Sequence, residues 1–289
     1  MRIAVEEELG WTQYPGTRSV TIRYKPLLQG NPIAKDNYEM AYESFGPGDS
    51  FSPRHRHNFE QFRWAFDEPL NYSPKLDVPP GHLGYFPEGA YYGPQTILSG
   101  SHMLIVQFAG PNGYGYMSWE ALARGASELQ QKGEFVKGIY TYTNAEGKKV
   151  NQDAYEAVWE HVNGRKLEYP PARYREPVVI KPEAFPWMPV KGAAAGIMSR
   201  NFGVFNERGT SAYQVMIPAG ASYRHAAVPN VNLFFFLSGR GTIAGEAYSP
   251  KSGVDLLVNE SVEVAAWVDT VILGFVMPSF ADQAGTGTG

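Results

Sequence analysis

Two histidines separated by one residue are the feature of this sequence with the clearest chemical potential. His55 and His57 lie in the stretch 53–61, and Gln61 and Arg63 follow at the same odd-numbered positions. In an extended strand alternate side chains share a face, so these four side chains would point to one side. Two neighbouring imidazoles can both bind one divalent transition metal. The stretch therefore predicts a metal site on a β-strand.

The residues after the two histidines leave the third ligand open. We expect Gln61 to be that ligand, because it shares the parity of His55 and His57. Glu60 would take its place if a β-bulge shifted the strand by one residue. A carboxamide is a neutral ligand, and such a site suits a metal that keeps open positions for a substrate. Arg63 has the same parity, and it either clamps a substrate carboxylate or lies on the strand surface.

Three later residues are candidates for the same site. Tyr92 is expected to be a metal ligand as a phenolate, a catalytic acid or base beside the metal, or an aromatic wall. Tyr91 would replace it if the register slipped by one residue. His102 opens a predicted strand, and both Tyr91 and His102 are candidates for substrate binding.

The composition limits the class of protein. The chain has 289 residues, 43% of them hydrophobic, which is enough for one large or two medium domains. It has no cysteine, which excludes disulfides and thiolate chemistry. The net charge is -4 with no basic stripe, so nucleic acid is not an expected partner. No apolar run approaches the ~20 residues of a membrane span, and acidic residues 6–8 stand where a signal peptide is apolar. We expect a cytoplasmic protein that does not bind membranes.

Short β-rich runs between glycine and proline turns predict an all-β protein. The clearest predicted strands are 18–28, 38–45, 55–66, 82–86, 103–108, 211–217, 233–237 and 270–277. Two helices are predicted at 118–131 and 153–163, with Gly164 as a stop, and a proline-rich connector at 169–189. We expect a first barrel over 1–110, a connecting segment over 111–189, a second barrel over 190–280 and a disordered tail over 281–289.

The two β-rich units repeat one another. A Gly-Asp-Ser-Phe-Ser-Pro run before Arg54 and His55 recurs as Gly-Ala-Ser-Tyr before Arg224 and His225, and each follows a predicted strand. A repeat on this scale indicates duplication of a whole domain, and therefore two similar folds side by side.

On these motifs the chain resembles the cupin superfamily, and in particular the bicupins, which have two double-stranded β-helix (jelly-roll) barrels. The first family motif, a glycine followed by His-x-His and then Glu or Gln, is matched by Gly48, His55, His57 and Gln61. The second motif, Gly-x5-Pro-x-Gly-x2-His, is matched by Gly81, Pro87 and Gly89, with Tyr92 at the last position. The gap after Gly48 is one residue longer than usual, and Glu68-Pro69 replaces the closing glycine of the first motif.

The resemblance implies a metal-dependent enzyme with its site in the first barrel. Its ligands would be His55, His57, Gln61 and Tyr92, holding one divalent Fe, Mn, Ni, Cu or Zn ion. The second barrel is degenerate, because its ligand positions hold His225, Ala227, Asn232 and Val264. A dioxygenase acting on a small organic substrate, carboxylate-bearing or aromatic, is the leading expectation. A non-redox isomerase, lyase or decarboxylase and a non-catalytic binding protein are the alternatives. The resemblance also implies a homodimer.

Overall fold

The computed structural model describes residues 1–13, 22–46 and 50–280, with only the backbone of Ser50. Gly48, the first residues of the strand predicted at 18–28 and the tail predicted at 281–289 lie outside these ranges. Within the described ranges no helix is long and apolar enough to cross a membrane.

The elements follow one another along the chain as two β-rich halves around a partly helical segment. The N-terminal half contains β1 (Arg2–Ala4), β2 (Thr12–Gln13), β3 (Ile22–Gln29), β4 (Tyr38–Phe45), β5 (Ser50–Ser52), β6 (Phe59–Ala65), β7 (Leu70–Ser73), β8 (Leu76–Val78), β9 (Leu83–Phe86), β10 (Gln95–Ile97) and β11 (His102–Ala109). The middle segment contains α1 (Trp119–Gln130), β12 (Gly133–Val136), β13 (Ile139–Thr143), β14 (Lys149–Asp153), α2 (Ala154–Asn163) and β15 (Val178–Ile180). The C-terminal half contains β16 (Met188–Pro189), β17 (Met198–Val204), β18 (Ser211–Ile217), β19 (Ser222–His225), β20 (Asn232–Ser238), β21 (Gly241–Ile243), β22 (Glu246–Tyr248), β23 (Gly253–Leu256), β24 (Val262–Ala266) and β25 (Thr270–Val276).

Each half folds a large antiparallel sheet against smaller ones. The first large sheet has the order β15-β9-β6-β11-β4-β3-β2, and the pairs β5–β10 and β7–β8 share a hydrophobic core with it. The second has the order β1-β23-β20-β25-β18-β17-β16, and β19-β24-β21-β22 closes the core behind it. Two-layered antiparallel barrels of this kind are jelly rolls. The all-β class and the two-barrel architecture predicted from the sequence are confirmed.

Two strands pair with strands that are distant from them in sequence. Strand β1 pairs with β23, so that Arg2 lies opposite Asp255 in the second barrel. Strand β15 of the middle segment pairs with β9 of the first barrel. The division at residues 110 and 189 stays a prediction, with β1 and β15 linking the three segments.

Strand β6 is buried on both faces, and this positions the candidate site. Phe59 and Ala65 face the core of the first barrel. Phe62 and Trp64 face a second core between the two large sheets, where the Phe62 ring centroid lies 5.0 Å from that of Phe275. Because successive strand residues alternate between faces, odd-numbered β6 residues belong to the barrel interior and even-numbered ones to the contact between barrels.

The two predicted helices are confirmed, and their sequences explain their ends. The Ser118 side chain accepts a hydrogen bond from the Ala121 backbone at the start of α1. Asp153 does the same for two backbone N–H groups of α2, which ends at Gly164 with φ of 63°. A side chain at Gly125 would collide with α2, so this glycine permits the close packing of the two helices.

Candidate metal and substrate site

The first barrel encloses a cavity of about 110 Å³. Strands β4, β6 and β11 form one wall, and α1 and α2 contribute Trp119, Leu122 and Tyr155 to another. Its polar lining consists of Glu43, Ser52, His55, His57, Gln61, Arg63, Tyr92, Gln95 and Gln107. The odd-numbered residues from His55 to Arg63 thus face one cavity, with the parity that the sequence predicts.

His55 is held in one orientation by its surroundings. Its backbone N–H donates to the Tyr92 carbonyl at 2.9 Å, and the Tyr92 N–H donates back at 3.0 Å. The His55 Nδ1 atom lies 2.6 Å from the Pro53 carbonyl oxygen. Because a carbonyl can only accept, Nδ1 carries a proton, and in the neutral ring Nε2 is then the atom with a lone pair for a metal. Histidines that bind metals in proteins are commonly held in this way.

The second imidazole is placed suitably for a shared metal ion. The ring centroids of His55 and His57 lie 5.0 Å apart at an angle of 76°, and both side chains are buried. With metal–nitrogen bonds of about 2.0–2.1 Å, two imidazoles on one ion have centroids roughly 5 Å apart. The His57 ring is packed between Phe59 and Tyr155, at 4.4 and 4.8 Å between centroids. The two histidines therefore fit a transition-metal ion.

Gln61 and Tyr92 both accept hydrogen bonds from Arg63 in this structure. The Gln61 Oε1 atom accepts hydrogen bonds from Arg63 Nη2 at 3.1 Å and from Gln107 Nε2 at 3.2 Å. The Tyr92 hydroxyl accepts from Gln61 Nε2 at 3.0 Å and from Arg63 Nη2 at 3.2 Å. Both oxygens lie against a guanidinium, which repels a divalent cation. That Gln61 and Tyr92 are ligands stays a prediction; here they hold Arg63 in place.

Glu60, the alternative to Gln61, points away from the cavity. Its Oε2 atom accepts a hydrogen bond from Asn206 Nδ2 of the second barrel at 2.8 Å. The regular pairing of β6 with β11 carries no bulge that could exchange the two residues.

Arg63 is a buried cation whose hydrogen-bond acceptors are neutral. Its side chain is 6% exposed and donates to Gln61, Tyr92 and Gln95. Among the described residues, no carboxylate lies within the 4.0 Å of a salt bridge to it. A buried charge without a counter-ion is costly, so this arrangement favours an anion in the cavity.

Glu43 is a residue of this site that the sequence analysis did not identify. It lies on β4, its side chain lines the cavity, and burial raises its pKa to about 8, although Arg63 acts in the opposite direction. The alternating pattern of strand 38–45 places Glu39 and Glu43 on one face, which is the signal that could have found it.

His102 and Tyr91 do not reach the cavity, in contrast to their predicted role in substrate binding. His102 Nδ1 lies 2.6 Å from Asp67 Oδ2, and its ring stacks on Tyr42 outside the lining. Tyr91 is 41% exposed, and the Arg54 guanidinium lies 4.1 Å from its ring centroid. Adjacent residues of an extended segment point in opposite directions, so Tyr92 faces inward and Tyr91 outward.

The corresponding place in the second barrel is filled by core side chains. His225 lies 5.0 Å from the Phe234 ring centroid, and burial lowers its pKa. Val264, at the position of the last motif residue, is fully buried in the same hydrophobic core.

Within the part of the chain that the structure describes, no group of three or more histidine and carboxylate side chains could hold a metal ion.

Comparison with known proteins gives the fold. No family model matches the chain, and no curated protein matches its sequence. Among solved structures, Streptomyces albus HEPD, with 2-hydroxyethylphosphonate and Fe(II) bound, superimposes with a TM-score of 0.59 at 9% identity, over 100% of this chain and 79% of that one. Bacillus subtilis oxalate decarboxylase, studied for its Mn(II) centres, gives 0.54 at 13% identity over 96% and 77%. Quercetin 2,3-dioxygenase from Acinetobacter baumannii gives 0.51 at 11% identity over 96% and 86%.

These neighbours are cupin-fold proteins, many of them with two barrels. The chain has the cupin fold. The resemblance to the bicupins that the sequence motifs indicate is therefore confirmed at the level of the fold. At 9–13% identity the comparison carries no information on the reaction.

Proposed function

We propose that this cupin-fold protein is a metal-dependent enzyme that acts on a small carboxylate-bearing substrate in its first barrel. The observation that carries the proposal is one cavity lined by two buried imidazoles and by a buried guanidinium that has no carboxylate partner among the described residues. The imidazole pair suits a divalent transition metal, and the guanidinium suits a carboxylate.

Each residue has a distinct role in this proposal. His55 and His57 would hold the metal, which supplies Lewis-acid or redox chemistry when bound. Arg63 orients the substrate carboxylate, and Gln61 and Tyr92 fix the guanidinium through their hydrogen bonds. The helices α1 and α2 cover the cavity with Trp119, Leu122 and Tyr155, which limits the access of water.

A dioxygenase reaction is the proposed reaction type, with a non-redox decarboxylase, isomerase or lyase reaction as the alternative. We take this pair of choices from the structural neighbours, which include a quercetin 2,3-dioxygenase and an oxalate decarboxylase. Oxygen consumption that depends on iron, manganese or copper would favour the first. Turnover that survives replacement of the native metal by zinc would favour the second.

The metal site is tested by elemental analysis and by calorimetric titration of Fe(II), Mn(II) and Zn(II) into the metal-depleted full-length protein. We expect about one ion per chain in the wild type, and a loss of at least tenfold in affinity in His55→Ala and in His57→Ala. His102→Ala is the matched control, because it removes an imidazole outside the cavity. Failure of the wild type to bind any ion, or equal binding by all three variants, would overturn the metal-dependent reading and leave a small-molecule-binding protein.

A further inference from the structure

Glu43 and Arg63 approach the cavity from two strands that are separated by a third. Glu43 lies opposite Met103 of β11, and Arg63 lies opposite Ile105 of the same strand. Two strand spacings and a two-residue offset along β11 separate their Cα atoms by roughly 12 Å. Both side chains line the cavity, and they lie too far apart for a salt bridge. A small molecule between them would touch both.

The Glu43 carboxyl group has the properties of a hydrogen-bond donor. It is 2% exposed, and its Oε2 atom has no hydrogen-bond partner among the described residues. Burial raises its pKa to about 8, so the group is protonated at neutral pH. A protonated carboxyl carries one O–H donor, and a buried donor without a partner is costly.

The charged and titratable groups around Glu43 come from several elements. They are Tyr24 on β3, Glu39 on β4, Arg63 on β6, and His55, His57 and Tyr92 in the loops at the cavity. Glu39 is already engaged, since its Oε2 atom accepts from the Tyr116 hydroxyl at 2.7 Å and the Trp119 backbone at 3.0 Å. Arg63 therefore supplies the positive charge of the cavity. Because Glu39 is already hydrogen-bonded, Glu43 is the carboxyl group that is available to a ligand.

We propose that Glu43 is a specificity-determining residue that donates a hydrogen bond from its carboxyl group to the carboxylate held by Arg63. The inference rests on the proposed function and narrows its substrate class. The Arg63 guanidinium and the Glu43 O–H would both donate to one carboxylate, so the preferred substrate presents a free carboxylate whose two oxygens can accept.

The proposal is tested with acetate, by titration calorimetry on the protein from pH 6.5 to 9.5. We expect the wild-type Kd for acetate to be constant below about pH 8 and to rise up to tenfold per pH unit above it. Binding near pH 8 should take up protons, which is measured by repeating the titration in buffers of different ionisation enthalpy.

Two substitutions of Glu43 separate its donor role from simple packing. Glu43→Gln keeps an N–H donor, so we expect acetate affinity at pH 7 within a few-fold of wild type and no pH dependence between pH 7 and 9. Glu43→Leu removes the donor and should weaken binding by roughly ten- to a hundredfold. Groups elsewhere in the cavity are unchanged in both variants, so any titration of theirs persists and is subtracted by the comparison.

The outcomes distinguish this inference from the proposed function. Acetate binding that requires Arg63 but keeps its wild-type pH dependence in Glu43→Gln overturns the role of Glu43 alone. Absence of acetate binding, or equal binding by Arg63→Gln, overturns the carboxylate substrate and the role of Glu43 together.

Infrared spectroscopy gives an independent readout of carboxyl protonation in the ligand-free protein. The protonated-carboxyl band at pH 7 should lose one component in Glu43→Gln, while the components of other buried carboxyls such as Glu60 remain. An identical band in the two proteins would also refute the inference.

Discussion

Glu60 makes the stability of this protein depend on pH in a direction that can be worked out. It is fully buried between the two barrels, and its Oε2 atom accepts a hydrogen bond from Asn206 at 2.8 Å. Burial raises its pKa from 4.5 to about 8. The group is therefore protonated in the folded protein at neutral pH but ionised in the unfolded chain.

The size of the effect follows from the two pKa values of Glu60. Its contribution to stability is fully present below pH 4.5, falls as the unfolded chain ionises, and reaches its minimum at pH 8, the folded value. At 1.36 kcal/mol per pH unit, the loss is about 3 kcal/mol by pH 7 and about 5 kcal/mol by pH 8. Glu60→Gln keeps the side-chain size and an oxygen acceptor for Asn206, but it does not titrate. Its stability relative to wild type should therefore rise by about 5 kcal/mol between pH 4.5 and 8.

Urea unfolding followed by tryptophan fluorescence at pH 5, 6, 7 and 8 measures this difference. Buried carboxyl groups that do not interact with Glu60, such as Glu39 and Glu43, cancel because both proteins contain them. Glu246→Gln, at an exposed position of β22, is the matched control. Its free energy of unfolding should change with pH in the same way as that of wild type. A difference between Glu60→Gln and wild type that stays within about 1 kcal/mol from pH 5 to pH 8 would falsify the reasoning.

Three further substitutions test individual contacts by urea unfolding at pH 7. Arg63→Met should stabilise the protein by about 1–3 kcal/mol, because it removes a buried charge that has no carboxylate partner among the described residues. A loss of stability would show that the charge is compensated. Tyr92→Phe should destabilise it by about 1–2 kcal/mol, since two buried donors lose their acceptor, and an unchanged midpoint would contradict that. Gly110→Ala should cost about 1–3 kcal/mol because its Cβ would collide with Glu88, whereas Gly10→Ala meets no neighbour and should be neutral.

The alternation of side chains over residues 55–63 was the part of the site that the sequence could predict, although the strand predicted at 55–66 begins only at Phe59 and the two histidines precede it. His55, His57 and Arg63 face one cavity, as their spacing indicated, and the structure shows which of two adjacent tyrosines points inward. Their partners could not be predicted in the same way. Gln95 bonds Arg63, and Gln107 bonds Gln61, each from a strand distant in sequence. No local sequence pattern predicts such contacts.

Buried polar residues were harder to recognise than the histidine pair, for a physical reason. The sequence of β4 alternates and places Glu39 and Glu43 on one face, and such a polar face is usually exposed. Every residue of β4 is nevertheless buried, so the alternation groups the two glutamates but does not show that their face turns inward. The pairing of β1 with β23 could not be predicted either, because Arg2 and Asp255 are 253 residues apart in sequence. The homodimer and the cytoplasmic location stay predictions.

The two faces of β6 explain why a second barrel without the metal motif is retained. The odd-numbered face carries Gln61 and Arg63 into the cavity, while the even-numbered face carries Glu60 and Phe62 into contact with the second barrel. Without that barrel, Phe62 would face water. Burial of roughly one large aromatic side chain contributes about 1.5–3 kcal/mol, and several such side chains lie in this contact. The contact depends on the outer face of the second sheet and not on its interior. Substitution of ligands by Ala227 and Val264 therefore leaves intact the surface that holds β6, and with it the cavity residues, in position.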